Sequence, residues 1–282
     1  MPVVTLDYRH CHRLRPAYIK HSEVEVLAAL IRQQLVDAKA DAMPLKVFSD
    51  ISGLKINGVV FDLFVGTGNV LHDEEGKPVL GVCEYDPGVP DTAMLSVSPI
   101  GENASEELVL STFGHELGHA VFDAPGWIID ASKGRGLFDD PVEMVRKVYR
   151  TTTPDGDHLS ITRPANDVRE SSGAPGNLIA NEAYFAELRA NEFMGSLLVP
   201  RRRLNLAVEE LAGEHGVAIH RSLSLDPELP DTTLRLSTDG VLGFFNMDCL
   251  QKALAKRFGV NPRFIQVRMD RYGLLKSEAK IN

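Results

Sequence analysis

Hydrophobic and polar positions recur with two different periods along this chain, and the change of period separates its predicted parts. Residues 1–22 show no clear periodicity and read as an extension. Over 23–38 the apolar positions Val26, Leu27, Leu30, Ile31 and Leu35 follow helical spacing, which predicts an amphipathic helix. Three strand-like runs follow, at 58–65, 78–85 and 93–97, the first two joined by the turn-rich stretch 66–76. Together they predict a small antiparallel sheet with 93–97 as its edge strand, a place where an extended peptide gains backbone hydrogen bonds. Gly66-Thr67-Gly68 lacks the lysine and the following helix of a phosphate loop, so it reads as a turn.

Helical spacing returns over 103–122, where Leu108, Val109, Phe113, Leu117 and Val121 recur on one side. Asn103 with Glu106 three residues later makes a capping-box-like start, and Asp123-Ala124-Pro125-Gly126 stops the run. Inside it lies His115-Glu116-Leu117-Gly118-His119. Histidines at i and i+4 share one helix face and can bind one tetrahedral Zn²⁺, while the intervening glutamate lies too far round to ligate and serves as general base. The chemistry implied is hydrolysis, most often of a peptide bond.

A catalytic zinc needs a third protein ligand and a vacant position. Residues 181–198 predict a second helix with Ala183, Ala186, Ala190, Phe193, Met194 and Leu197 along one stripe, ended by Pro200. Glu187 falls on that stripe, whereas Glu182 and Glu192 sit about 140° away toward the polar side. A carboxylate pointing inward needs a partner, which two histidines and a cation would supply. An arginine such as Arg163 or Arg189 is the competing partner. Asn191, one turn on, is placed to support the site by hydrogen-bonding the carboxylate or nearby backbone.

The run from Glu187 through Ala190, Asn191, Phe193, Leu197 and Leu198 to Pro200 resembles the E-x-x-A-N-x-F-A-x-x-L-L-x-P signature that follows HELGH in the ImmA/IrrE family of metallopeptidases. The C-terminal stretch from Leu254 through Phe258, Val260 and Arg268 to Leu274 is also similar to that family's closing helical pair. The resemblance implies zinc held by His115, His119 and Glu187, with Glu116 as base. It also implies a zincin-like α+β fold, and as substrate a helix-turn-helix repressor of the Xre type. Met194 and Gly195 depart from the usual alanine and variable residue, and the gap between His119 and Glu187 is longer than in compact members. Residues 124–178 therefore read as an insertion, with a short amphipathic helix near 141–149 and a turn-rich stretch over 151–176 that suits a lid, a substrate-selecting wall or a plug over the groove.

The domains expected are an extension at 1–22, a catalytic domain at 23–200 and a helical region at 201–282 packed on it. The formal net charge of -9 argues against general binding to a phosphate backbone and suits docking to the basic face of a DNA-binding protein. Basic residues Lys252, Lys256, Arg257, Arg263, Arg268 and Arg271 gather near two short helices joined through Gly259-Val260-Asn261, for which packing rather than DNA contact is the expected role. Three scattered cysteines fit a reducing compartment, and neither a long apolar run nor an apolar signal core is present, so a cytoplasmic protein is expected. His10-Cys11-His12 reads as surface tail or as a metal-binding cluster. Tyr184 and His158 are candidates for stabilising an oxyanion. His21, His72, His215 and His220 read as isolated surface residues. Besides a zinc endopeptidase, two other readings use these residues: a non-catalytic regulator that sequesters a repressor, and a zinc hydrolase of small amides.

Overall fold

A computed structural model describes residues 2–101, 104–133, 145–150, 175–223, 232–238 and 242–275. It divides into two units, one made of Met1–Asp37 with Pro44–Leu197 and the other of Ala38–Met43 with Leu198–Asn282. The first holds β1 (Val3–Leu6), α1 (His21–Leu35), α2 (Lys46–Ser49), β2 (Gly53–Ile56), β3 (Val59–Gly66), β4 (Leu71–His72), β5 (Pro78–Val79), β6 (Gly81–Tyr85), β7 (Thr92–Val97), α3 (Glu106–Phe122), α4 (Ala124–Lys133), β8 (Arg146–Arg150) and α5 (Pro175–Leu198).

Six of these strands form one sheet in the order β1-β2-β3-β7-β6-β8. It is mixed rather than antiparallel, because β1 runs parallel to β2 and β3 parallel to β7. The expected edge strand, β7, is therefore central, and β8 closes its side of the sheet by antiparallel pairing with β6. At the opposite edge the Gln34 side chain accepts from Thr5 N and donates to Thr5 O, both at 2.8 Å, so α1 occupies exposed backbone groups of β1. The expected N-terminal extension thus supplies an edge strand. Asn57 and Gly58, with φ of 50° and 83°, make the tight two-residue turn between β2 and β3, a backbone form that asparagine and glycine tolerate best. The run expected at 78–85 is split at Leu80: β5 pairs with the short β4, and β6 enters the main sheet.

Strand alternation sets one face of the sheet inward. Phe61 and Leu63 of β3 and Ala93, Leu95 and Val97 of β7 are buried, while Val60, Phe64 and Met94 face out. Helix α3 packs on β6 and β7 and is buried at every position from Val109 to Phe122. A helix enclosed on all sides has no polar face to display, and α3 is the spine of this unit. Phe113 stacks on Phe48 with centroids 5.5 Å apart, and Phe122 meets Phe193 of α5 edge-on at 5.7 Å. The cap of α3 is Ser105, whose hydroxyl accepts from Leu108 N; Asn103 lies outside the described residues. In α1 the buried residues are Val24, Leu27, Ala28, Ile31 and Arg32, with Val26 and Leu30 exposed, so its inner face is rotated from the expected one.

The insertion is more structured than expected. Asp123-Ala124-Pro125-Gly126 ends α3 but opens α4 at once, since proline is well accommodated in a first helical turn. The helix expected near 141–149 is not found at 146–150, which forms β8 instead. Residues 151–174 lie outside the described residues.

The second unit contains α6 (Arg201–Leu211), a 3-10 turn at Gly213–His215, β9 (Ala218–Leu223), β10 (Thr232–Ser237), α7 (Gly243–Phe258) and α8 (Pro262–Arg271). The antiparallel β9-β10 hairpin was not expected in a helical region. Asp41 accepts from Arg203 and Arg257, tying residues 38–43 to this unit. Arg201 and Arg268 each lie 4.4 Å from the ring centre of Tyr272, whose hydroxyl donates to Val199 O. Arg257 and Arg268 are thus engaged within this unit, with Asp41 and with Tyr272. No helix among the described residues is long and apolar enough to cross a membrane.

Candidate metal centre

Helix α3 places His115 and His119 one turn apart, both essentially inaccessible to solvent, with their Nε2 atoms 3.1 Å from each other. From α5, Glu187 brings Oε2 to 3.3 Å from His115 Nε2 and Oε1 to 3.3 Å from His119 Nε2. A tetrahedral ion with bonds of about 2.0–2.1 Å to such donors needs them roughly 3.3 Å apart. The two nitrogens stand near that spacing, and each has a different oxygen of the Glu187 carboxylate 3.3 Å away, with one ligand atom from each residue within 4.8 Å of the others. Glu187 is partly accessible, with 27% of its side chain exposed, so the centre has an open side. The three residues can hold a metal ion, and among the described residues they are the His/Cys/Asp/Glu group close enough to do so.

Two glycines allow this convergence. A Cβ on Gly118 would lie 2.9 Å from Ala190 Cα and 3.3 Å from Ala190 O, so α3 and α5 touch backbone to backbone beside the ligands. A Cβ on Gly81 would lie 2.5 Å from Thr112 Cγ2 and 2.8 Å from Glu116 Oε1, so the bare strand lets the Glu116 carboxylate rest against β6.

Each imidazole is held from behind. His115 Nδ1 donates to Asn191 Oδ1 at 3.1 Å, and His119 Nδ1 donates to Asp123 Oδ2 at 2.8 Å. Those bonds put a proton on Nδ1 and turn each Nε2 toward Glu187. Asn191 therefore supports the site through His115 rather than through the carboxylate or backbone. Arg189, the competing partner for Glu187, instead donates to Asp123 Oδ1 at 3.1 Å. Arg163 lies outside the described residues.

The charges of the site's own side chains set their protonation against one another. Burial opposes charge on His119, but hydrogen bonds to Asp123 and Glu187 outweigh it and raise its pKa to about 10. His115 is lowered to about 4, chiefly by burial, with the Glu187 bond opposing. Burial would raise Glu187, yet its bonds to both imidazoles hold it well below the usual carboxylate range. Glu116 is fully buried, and neither carboxylate oxygen has a hydrogen-bond partner among the described residues. Burial pushes it up to about 8 against the opposing charges of His119 and Arg150. A carboxyl group poised near neutrality beside a metal-binding cluster is suited to proton transfer.

Three contributors were missed by sequence reading. Asp123 had the look of a helix stop. Arg150 of β8 is buried, donates to Ser111 O at 2.7 Å and approaches Met194 Sδ at 3.4 Å, which places a positive charge between the sheet edge, α3 and α5. Tyr8 packs on Phe122 and donates to Val121 O at 3.0 Å, capping the end of α3; burial, with Asp123 nearby, pushes its hydroxyl pKa far up.

Glu182 is exposed and binds Arg15, as its polar placement implied. Glu192 is not on a polar side: it is 3% exposed and accepts from Ser196, because α5 is enclosed on almost every side from Ala190 onward. Tyr184 is half-buried with its ring edge-on to Phe185, and His158 lies outside the described residues. His10 and His12 are exposed and Cys11 half-buried in a tight turn, outside the metal-binding group. His21 reaches within 3.6 Å of buried Glu192, and His220 pairs with Ser237. Comparison with family models, curated proteins and solved structures gave no match to this chain.

Proposed function

We propose that this protein is a zinc-dependent endopeptidase of the zincin type, similar to the ImmA/IrrE family, whose substrate is a helix-turn-helix repressor of the Xre type. The observation that carries the reading is the convergence of His115, His119 and Glu187 beside Glu116, a buried carboxylate without a hydrogen-bond partner among the described residues. A zinc ion held by the three would supply Lewis-acid chemistry, polarising water and a substrate carbonyl.

The remaining work falls to the chain's own side chains. Glu116 takes the proton of the attacking water and passes it to the leaving nitrogen, a role for which its raised pKa suits it. Asn191 and Asp123 keep both imidazoles in the orientation that faces Glu187. Arg150, fixed on Ser111 O, offsets the negative charge of Glu116 and Glu187 in a setting with little water. Strand β8 lies last in the sheet on the side of β6, against which Glu116 rests, and so replaces β7 as the strand along which an extended peptide would align. The acidic balance of the chain suits a basic DNA-binding partner.

The test is to incubate the parent and Glu116→Gln with a purified Xre-type helix-turn-helix repressor from the same genome. The parent should fragment it, and Glu116→Gln should be slower by on the order of 10² to 10⁴. Relief of DNA binding by both proteins without fragmentation would replace proteolysis with sequestration.

A further inference from the structure

Asp123 follows the last residue of α3 and divides its two oxygens between different elements. Oδ2 accepts the Nδ1 proton of His119 at 2.8 Å, and Oδ1 accepts from the Arg189 guanidinium of α5 at 3.1 Å. Both partners are largely removed from water, with 12% of the Asp123 side chain and 20% of the Arg189 side chain exposed. An ion pair so placed cannot part without leaving two poorly solvated charges. The same level of the two helices carries the backbone contact between Gly118 and Ala190, each adjacent in sequence to a residue of this chain of bonds.

The two imidazoles are supported differently. His115 is held directly from α5 by Asn191, whereas His119 is held by Asp123 at the end of its own helix, and Asp123 in turn bonds α5 through Arg189. Arg189 stands two residues beyond Glu187, so whatever fixes Arg189 also fixes where Glu187 meets the imidazoles. We infer that Asp123 and Arg189 are positioning residues that act as one latch between α3 and α5, setting the tautomer of His119 and the approach of Glu187 together. This rests on the metal-centre reading above.

Zn²⁺ affinity would be measured by competition with a chromophoric chelator for the parent, Asp123→Ala, Asp123→Asn, Arg189→Met and the double variant Asp123→Ala/Arg189→Met. The imidazole ¹⁵N shifts of His119 would be recorded alongside on the zinc-loaded proteins, where the ring is neutral, since these report which nitrogen carries the proton and how it is hydrogen-bonded, and a merely structural residue would leave them unchanged. Asp123→Ala should weaken affinity about 10- to 100-fold and remove the hydrogen bond of the Nδ1 proton. Asp123→Asn, whose amide oxygen still accepts that proton, should keep the tautomer and recover part of the affinity. It also keeps the test informative should Asp123→Ala fold poorly. Arg189→Met should weaken affinity by several-fold, and the double variant should lose no more than Asp123→Ala alone, because two members of one latch are not additive. A parent that binds Zn²⁺ while Asp123→Ala stays within about twofold of it, or single losses that multiply in the double variant, would overturn the latch and leave the metal centre standing. A parent that binds no metal would instead overturn the metal centre.

Discussion

Replacing Glu116 by glutamine should change the pH dependence of stability, and the size of the effect follows from its burial. The carboxyl is raised from 4.5 to about 8, with burial the largest cause. Between those values the folded protein keeps a proton that the unfolded chain has released, so stability falls as pH rises through the window. The favourable contribution of the protonated group is complete below 4.5 and gone above 8. A displacement of this size corresponds to roughly 5 kcal/mol. Glutamine does not titrate, and the histidines are common to both proteins, so the difference between variant and parent isolates Glu116. In chelator-treated protein, Glu116→Gln should gain on the parent by roughly 5 kcal/mol between pH 4.5 and 9, seen as a relative rise in Tm of roughly 10 to 20 °C. Thermal unfolding of both proteins across that range, followed by circular dichroism, measures it. If the gap in Tm is the same at pH 5 and pH 9, Glu116 is not a buried, unpaired carboxylate and the reasoning about its role fails.

Two further outcomes are expected. Because His119 is raised to about 10, the metal-free site carries a proton there at pH 7 that a ligand imidazole must lose; calorimetry in buffers of different ionisation enthalpy should show about one proton or more released per Zn²⁺ bound, and heats independent of buffer would contradict it. Gly118→Ala should force α3 and α5 apart at Ala190, costing about 1–3 kcal/mol by chelator-treated unfolding and weakening Zn²⁺ binding; a variant that is more stable, as helix propensity alone would give, with unchanged affinity would show the helix contact to be unimportant.

The parts of the site that the sequence displayed are those fixed by spacing along a single helix. His115 and His119 share a face of α3 whatever surrounds it, and Glu187 lies on the stripe of α5 that meets them. Spacing said nothing reliable about Glu192, since the polar side of a helix exists only where the fold leaves it open, and here it does not. Strand order was equally hidden. β7 lies inside the sheet because β3 pairs with it in parallel across a long connection, while β6 pairs on its other side and is itself covered by β8 from beyond α4, and neither β3 nor β8 leaves a mark on residues 92–97. β8 itself, with Arg146, Lys147 and Arg150 among five residues, lies in the run that reads as an amphipathic helix, and pairing with β6 makes it a strand and buries its last side chain. Asp123 illustrates the same limit at one residue: an aspartate after a helix reads as punctuation, and only the folded chain brings Arg189 to its other oxygen.

Metal content after purification in zinc-containing medium addresses the central claim most directly. The parent should carry about one equivalent of zinc, and His115→Ala, His119→Ala and Glu187→Gln should each lose most of it while retaining the parent's circular dichroism spectrum. A folded Glu187→Gln protein that keeps a full equivalent, or a parent that takes up none, would contradict the assignment of these three side chains as one metal centre.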